Sequence, residues 1–160
     1  QYLAIDHPDS VDKLILAVTS SKPDETIIKT VSAWIGMASR GNYKDLLIDT
    51  AEKSYSEKYL KRYRLLYPFL GKAGKPESFK RFLIQASSCI GHNAHEELHK
   101  IMCPVLVIGA DHDQIVGTAS APAIASQIKG SELFIYQGLG HAAYEEAKDF
   151  HARILHFLNK

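Results

Sequence analysis

Two groups of residues in this chain have types and spacings that suit chemistry. The first is the motif HEELH at 95–99. On an α-helix it would set two imidazoles one turn apart with a carboxylate between them. That is the H-E-x-x-H pattern, in which two histidines bind zinc and the glutamate serves as general base. The second group is split along the chain. Asp111 and Asp113 lie in GADHDQIV (109–116), and His141 closes QGLGH (137–141). A carboxylate that accepts from an imidazole Nδ1–H leaves Nε2 free to take a proton, which makes the ring a general base. The elements that carry these residues decide between the two.

Residues 1–7 have helical character, stopped by Pro8 and Asp9. The nearly unbroken apolar run at 11–18 predicts a parallel strand buried on both faces. A long helical region follows, from Asp24 to about Lys100. Ile27, Ile28, Val31, Trp34, Ile35 and Ala38 recur at helical spacing, with Gly41 as a stop. Tyr43, Leu46, Leu47 and Thr50 mark a second helix. Tyr59, Leu60, Tyr63, Leu66 and Tyr67 mark a third, ended by Pro68. The loop GKAGKP (71–76) breaks the run, and Phe79, Phe82, Leu83 and Ala86 predict another helix.

Beyond Pro104 the pattern changes. Residues 105–108 predict a second strand, and Ser120 to Ile128 a helix of small residues with Pro122 in its first turn and Gly130 past its end. Residues 132–136 predict a third strand, and 143–157 a final amphipathic helix. This order predicts an α/β fold with three parallel strands and flanking helices. Its core would comprise 1–22 and 101–160. Residues 23–100 form an inserted helical lid or cap, far longer than a crossover needs. Three strands leave the first with an unpaired apolar edge.

In an open α/β sheet, ligands sit beyond the carboxyl ends of the strands. Asp111 and Asp113 follow the second strand, and His141 follows the third. Each has a plainer use, since aspartate forms turns through its own backbone and His141 suits a helix start. Their placement on two successive strand-end loops is what points to chemistry. HEELH lies elsewhere, where the chain returns from the helical block to the sheet, with Leu98 and Ile101 on the buried side. Pro104 leaves about one turn of helix after His99, and no glycine and third histidine follow. It reads as the last helix before a strand. No metal and no cofactor are expected.

Composition narrows the classes further. Apolar residues make up 46%, and the net charge is +1, a balance that speaks against nucleic acid or an anionic membrane as partner. The dense basic group Lys58, Lys61, Arg62 and Arg64 is interleaved with tyrosine and leucine, as on the wet side of an amphipathic helix. No apolar run approaches the ~20 residues of a membrane helix. Cys89 and Cys103 are too few for a disulfide framework, so a reducing, cytoplasmic setting is expected. The abrupt start at Gln1 adds the expectation of sequence missing upstream.

At the two motif loops the chain resembles the α/β-hydrolase family. CPVLVIGADHDQIV (103–116) and SELFIYQGLGHAAYEE (131–146) look like the acid and base motifs in the last third of that fold. The opening QYLAIDHPDSVDKLILAVTS (1–20) is similar to the helix behind the family's nucleophile elbow and the strand after it. The resemblance implies that Asp113 is the triad acid and His141 the base. Asp111 is a second candidate for the acid, and Asp24 a third, because some relatives place the acid after the preceding strand. No G-x-S-x-G occurs, so the elbow and its serine would lie upstream of Gln1. Ser39, Ser120 and Cys89 carry no elbow signal. The resemblance puts Trp34 and Met37 on the lid wall facing the catalytic groups, suited to an apolar acyl or ring substrate, although such residues also serve as lid core. Glu145 and Glu146 read as partners of a helix dipole.

The implied function is that of the C-terminal portion of a serine-type hydrolase. Its substrate would be a small molecule with an ester, lactone, thioester or related bond, and its partner the missing N-terminal half. The alternative is a non-catalytic module that self-associates through its open strand edge.

Overall fold

The most apolar run in the chain sets the sheet. In the computed structural model, which describes residues 1–69 and 75–160, β2 (Val105–Ala110) is buried along its whole length. It pairs in parallel with β1 (Leu14–Ala17) on one side and β3 (Glu132–Tyr136) on the other, giving the order β1-β2-β3. Leu16 aligns with Val107, and Ile108 with Phe134. A strand of valine, leucine and isoleucine with no polar side chain is stable only where both of its faces are covered.

Alternate residues of the strands feed two cores. On one face Leu16, Val105 and Val107 meet Ile5 of α1 (Tyr2–Asp6), Leu98, and Ile124 of α6 (Ser120–Gln127). On the other, Leu106, Ile108 and Tyr136 meet Phe150 and Phe157 of α8 (Phe150–Leu158). Leu98 and Ile108 are wholly buried, and each such side chain contributes about 1.5–3 kcal/mol.

Between β1 and β2 the chain leaves the sheet for α2 (Glu25–Ser39), α3 (Tyr43–Ser54), α4 (Glu57–Tyr63) and α5 (Lys80–Gly91). Three of these start on a side-chain cap, which satisfies an orphan N–H of the first turn. Asp24 accepts from Ile27 N at 2.9 Å, Asn42 from Asp45 N at 3.5 Å, and Ser56 from Tyr59 N at 3.3 Å. Gly41, at φ 67°, ends α2 in the left-handed region as predicted. Ile27 and Val31 of α2 pack on Phe82 and Ala86 of α5. The insertion leaves and rejoins the core at one place. Ala94 N donates to the Ser21 carbonyl at 2.8 Å, and the Ser21 hydroxyl meets His95 Nδ1 at 2.8 Å.

Several elements differ from the sequence reading. The first strand spans four residues rather than eight, because Pro8–Ser10 forms a 3₁₀ turn and Val18 turns the chain at φ 43°. Only Leu16 of β1 is buried, since an edge strand has a neighbour on one side alone. Pro68 lies inside a 3₁₀ segment, Arg64–Phe69, which begins before the proline can leave an α-helix one bond short. Residues 71–74 of the predicted loop GKAGKP lie outside the described residues. The last helix is two, α7 (Ala143–Glu146) and α8, separated where Ala147 turns extended at ψ 117°.

Gly109 fixes how closely α6 approaches the sheet. A Cβ there would sit 2.6 Å from Ala121 Cβ and 2.9 Å from Ile135 Cδ1. Gly109→Ala is therefore expected to destabilise the fold by about 1–3 kcal/mol through overpacking. Urea denaturation checks this; an unchanged midpoint would mean that α6 shifts freely.

Candidate active site

The loops after β2 and β3 are stitched together before they present any chemistry. Asp111 N donates to the Tyr136 carbonyl and His112 N to the Leu139 carbonyl, both at 3.0 Å, which carries the β2–β3 pairing past the strand ends. The Asp111 carboxylate accepts from Gly138 N at 2.7 Å. Gly138 sits at φ 71°, a left-handed conformation that glycine adopts without strain. Asp111 is thus a fastener between the two loops.

Asp113, two residues on, turns inward and is only 4% exposed. Its Oδ1 accepts from Ile115 N at 2.8 Å and Val116 N at 3.0 Å. Its Oδ2 lies 2.9 Å from His141 Nδ1. Since both lie at hydrogen-bond distance and the carboxylate can only accept, the ring nitrogen facing it carries the proton. In the neutral ring this fixes the tautomer, with Nδ1–H donating and the lone pair on Nε2. No group among the described residues bonds Nε2, and the His141 side chain is 23% exposed. A buried carboxylate orienting a partly open imidazole is a general-base arrangement.

The other sequence-predicted residues fall elsewhere. Asp24 caps α2. Trp34 donates its indole N–H to Asp49 Oδ2 at 2.7 Å, and Lys53 pairs with the same carboxylate. Met37 is half-buried further along α2. A cavity of about 570 Å³ opens beside Asp113, with Thr26, Lys29, Thr30, Lys53 and Gln114 in its walls. Trp34 and Met37 are not part of that lining. The Ser120 hydroxyl is tied to the Val116 carbonyl, and Ser39 and Cys89 are exposed on α2 and α5.

HEELH is a 3₁₀ helix, His95–Lys100, rather than an α-helix. At three residues per turn, positions four apart face about 120° away from each other. The rings accordingly turn to different partners, His95 to Ser21 and His99 to the Glu96 carbonyl at 2.8 Å. Leu98, between them, is the core anchor.

Glu145 and Glu146 have a role that the dipole reading missed. A helix of four residues has little dipole to complement, and both carboxylates instead reach the insertion. Glu146 Oε1 accepts from Ser56 N at 2.8 Å, and its Oε2 takes the Ser56 hydroxyl. Glu145 Oε2 accepts from the Tyr55 phenol at 2.7 Å. Burial, together with that carboxylate, pushes the phenol's pKa well above the usual tyrosine range. A contact across 90 residues leaves no local signal in the sequence.

A parallel sheet with the Asp and His on successive strand-end loops and helices inserted between β1 and β2 is the C-terminal part of an α/β-hydrolase fold. Residues 85–160 match the family model described as TAP-like protein. Over 76 residues the chain is 28% identical to monoacylglycerol lipase abhd6-B of Xenopus laevis, covering 48% of this chain and 23% of the lipase. The fold is similar to that of MGS-M2, an α/β hydrolase enzyme from a Medee basin deep-sea metagenome library. The TM-score there is 0.86 at 22% identity, over 99% of this chain and 60% of that one. It is also similar to the enol-lactonase from Burkholderia xenovorans LB400, at a TM-score of 0.83 and 17% identity, again over 99% and 60%. The chain thus spans about a quarter of the length of the lipase and three fifths of these solved structures.

Asp113→Ala should strand the Ile115 and Val116 N–H groups as well as His141. The expected loss of stability is about 1–3 kcal/mol, the penalty for unsatisfied buried donors. Asp111→Ala leaves the Asp113 bonds in place, so His141 should keep its Nδ1 proton signal in that variant and lose it in Asp113→Ala. NMR of the imidazole protons distinguishes them; loss of the signal in both would make the loop, rather than Asp113, the ring's anchor.

Proposed function

We propose that this chain is the acid-and-base part of a serine-type α/β-hydrolase, with the serine contributed by sequence upstream of Gln1. The observation that carries the reading is the 2.9 Å bond between His141 Nδ1 and the buried Asp113, which leaves Nε2 free at the carboxyl ends of the strands. In this scheme the serine Oγ attacks the substrate carbonyl while His141 Nε2 takes its proton. Asp113 holds the ring and stabilises the imidazolium. His141 then returns the proton to the leaving group and activates the water that hydrolyses the acyl-enzyme. One backbone donor for the oxyanion would follow the serine. The scheme needs neither a metal nor a cofactor.

The substrate class is a small molecule with an ester, lactone or thioester bond, in keeping with the lipase and lactonase names among the relatives. The helical insertion acts as the lid over it. Met37 and Trp34 belong to the lid without lining the cavity beside Asp113. Trp34 acts through Asp49, which holds Lys53 at the rim of the cavity beside Asp113. Among the described residues no helix is long and apolar enough to cross a membrane. Both cysteines are free, which suits a cytoplasmic setting.

In the protein with its upstream sequence, His141→Ala is expected to lower kcat on p-nitrophenyl esters by about 10⁶-fold while the protein stays folded. Turnover retained at the wild-type rate would remove His141 from the mechanism.

A second reading rests on β1, which hydrogen-bonds on one side only. In it this chain pairs with a second copy along that edge and catalyses nothing. Light scattering on the isolated chain tests it: a dimer is expected, and a monomer at all attainable concentrations would sink the idea.

A further inference from the structure

We infer that Glu146 is a positioning residue for His141, latching the α3–α4 corner of the insertion onto the loop that carries the ring. The inference rests on the reading of His141 as the base. His141 lies between two residues that touch the same carbonyl. Ala142 N donates to Ser54 O at 2.8 Å, and a Cβ on Gly140 would stand 2.6 Å from that oxygen. Ser54 is the last residue of α3, so its carbonyl has no partner within the helix and is free to accept from outside. The backbone on both sides of the ring is therefore pressed against one atom of the insertion.

That atom is held in turn by the chain it feeds. Ser56, two residues on, gives both its N–H and its hydroxyl to the two oxygens of Glu146, and it also caps α4. Hydrogen bonds to a carboxylate are about twice as strong as neutral ones. Tyr55 is fixed between Glu145 and a stack with Tyr59 and Tyr63, at centroid separations of 4.5 and 4.4 Å. On the outer side Arg64 forks onto Glu52 of α3 and Glu57 of α4, bracing the same corner. Ser54, Ala142 and Ala143 are buried, so bonds broken here are not replaced by water at the surface. The latch is reciprocal: the histidine loop donates to the insertion through Ala142 and accepts from it through Glu146. A corner that lifts releases the main chain on both sides of His141, and the ring is then held by Asp113 alone.

The test is NMR of ¹⁵N-histidine-labelled chain, following exchange of the His141 Nδ1 proton with solvent. Glu146→Ala should abolish its protection, with the fold checked by circular dichroism. Glu97→Ala, whose carboxylate pairs only with Lys100, should leave it unchanged. If Glu146→Ala fails to fold, Glu146→Gln serves, since an amide keeps one acceptor; it should show intermediate protection. Wild-type protection in a folded Glu146→Ala or Glu146→Gln protein would overturn the latch. In the protein with its upstream sequence, Glu146→Ala should lower kcat by about 10²-fold, the scale of a small misplacement of a catalytic group, with KM little changed and partial recovery in Glu146→Gln. A change in KM alone would also overturn it. The proton exchange does not depend on turnover, so an inactive parent protein with a responsive His141 signal would refute the hydrolase reading and leave the latch standing.

Discussion

A carboxylate taken out of water must have its charge met by donors, and in this chain that requirement organises the site. Asp113 is nearly inaccessible, and three N–H groups converge on it, two from its own loop and one from His141. The backbone pair forces the tight turn at 113–116 that ends the β2 loop. The third donor fixes the tautomer of a ring 28 residues away. Neither loop could supply this geometry alone. The parallel ladder of β2 and β3, extended by Asp111 and His112, brings the two turns to one edge.

From that edge the constraints spread outward. The sheet is rigid because β2 has no polar side chain and is flanked on both sides and both faces. Gly109 and Gly140 mark two places where something must come closer than a side chain allows: α6 against the sheet, and the end of α3 against the histidine loop. The insertion is fastened through Ser21 and Ala94 at its root, through Ile27 and Val31 packed with Val116, and through Ser54 and Ser56 at its far corner.

How much of this was legible in the sequence follows the range of each interaction. β2 and β3 were readable because runs such as VLVI have no stable place outside a covered sheet. That an aspartate of the 109–116 loop could meet His141 followed from them, since the strand ends dictate which loop residues can meet. The resemblance already set Asp113 ahead of Asp111, and the coordinates add the geometry: Asp113 faces inward onto His141 while Asp111 bonds Gly138 N. HEELH misled in its helix type. Five residues match a period of 3.6 or 3.0 equally well, and the zinc pattern exists only at the first. The short β1 was overread because its burial depends on neighbours, and it has one. Glu146 does sit in a helix's first turn, but its contact to Ser56 was not legible for a different reason: its partner is 90 residues distant, and no window of sequence holds both.

The meeting of Ser21 and Ala94 has a consequence for how such a chain can change. Because the insertion begins and ends where Ser21 meets Ala94 and His95, everything between is a loop whose ends are already closed. Lengthening a closed loop costs little, about 0.6 kcal/mol for each doubling of its length. Helices could be added, removed or exchanged within it while β1 and β2 kept their register. What resists exchange is the corner at 54–56, where the histidine loop demands a carbonyl and two donors in fixed positions. The insertion is free to vary in proportion to its distance from that corner, without rebuilding the sheet beneath.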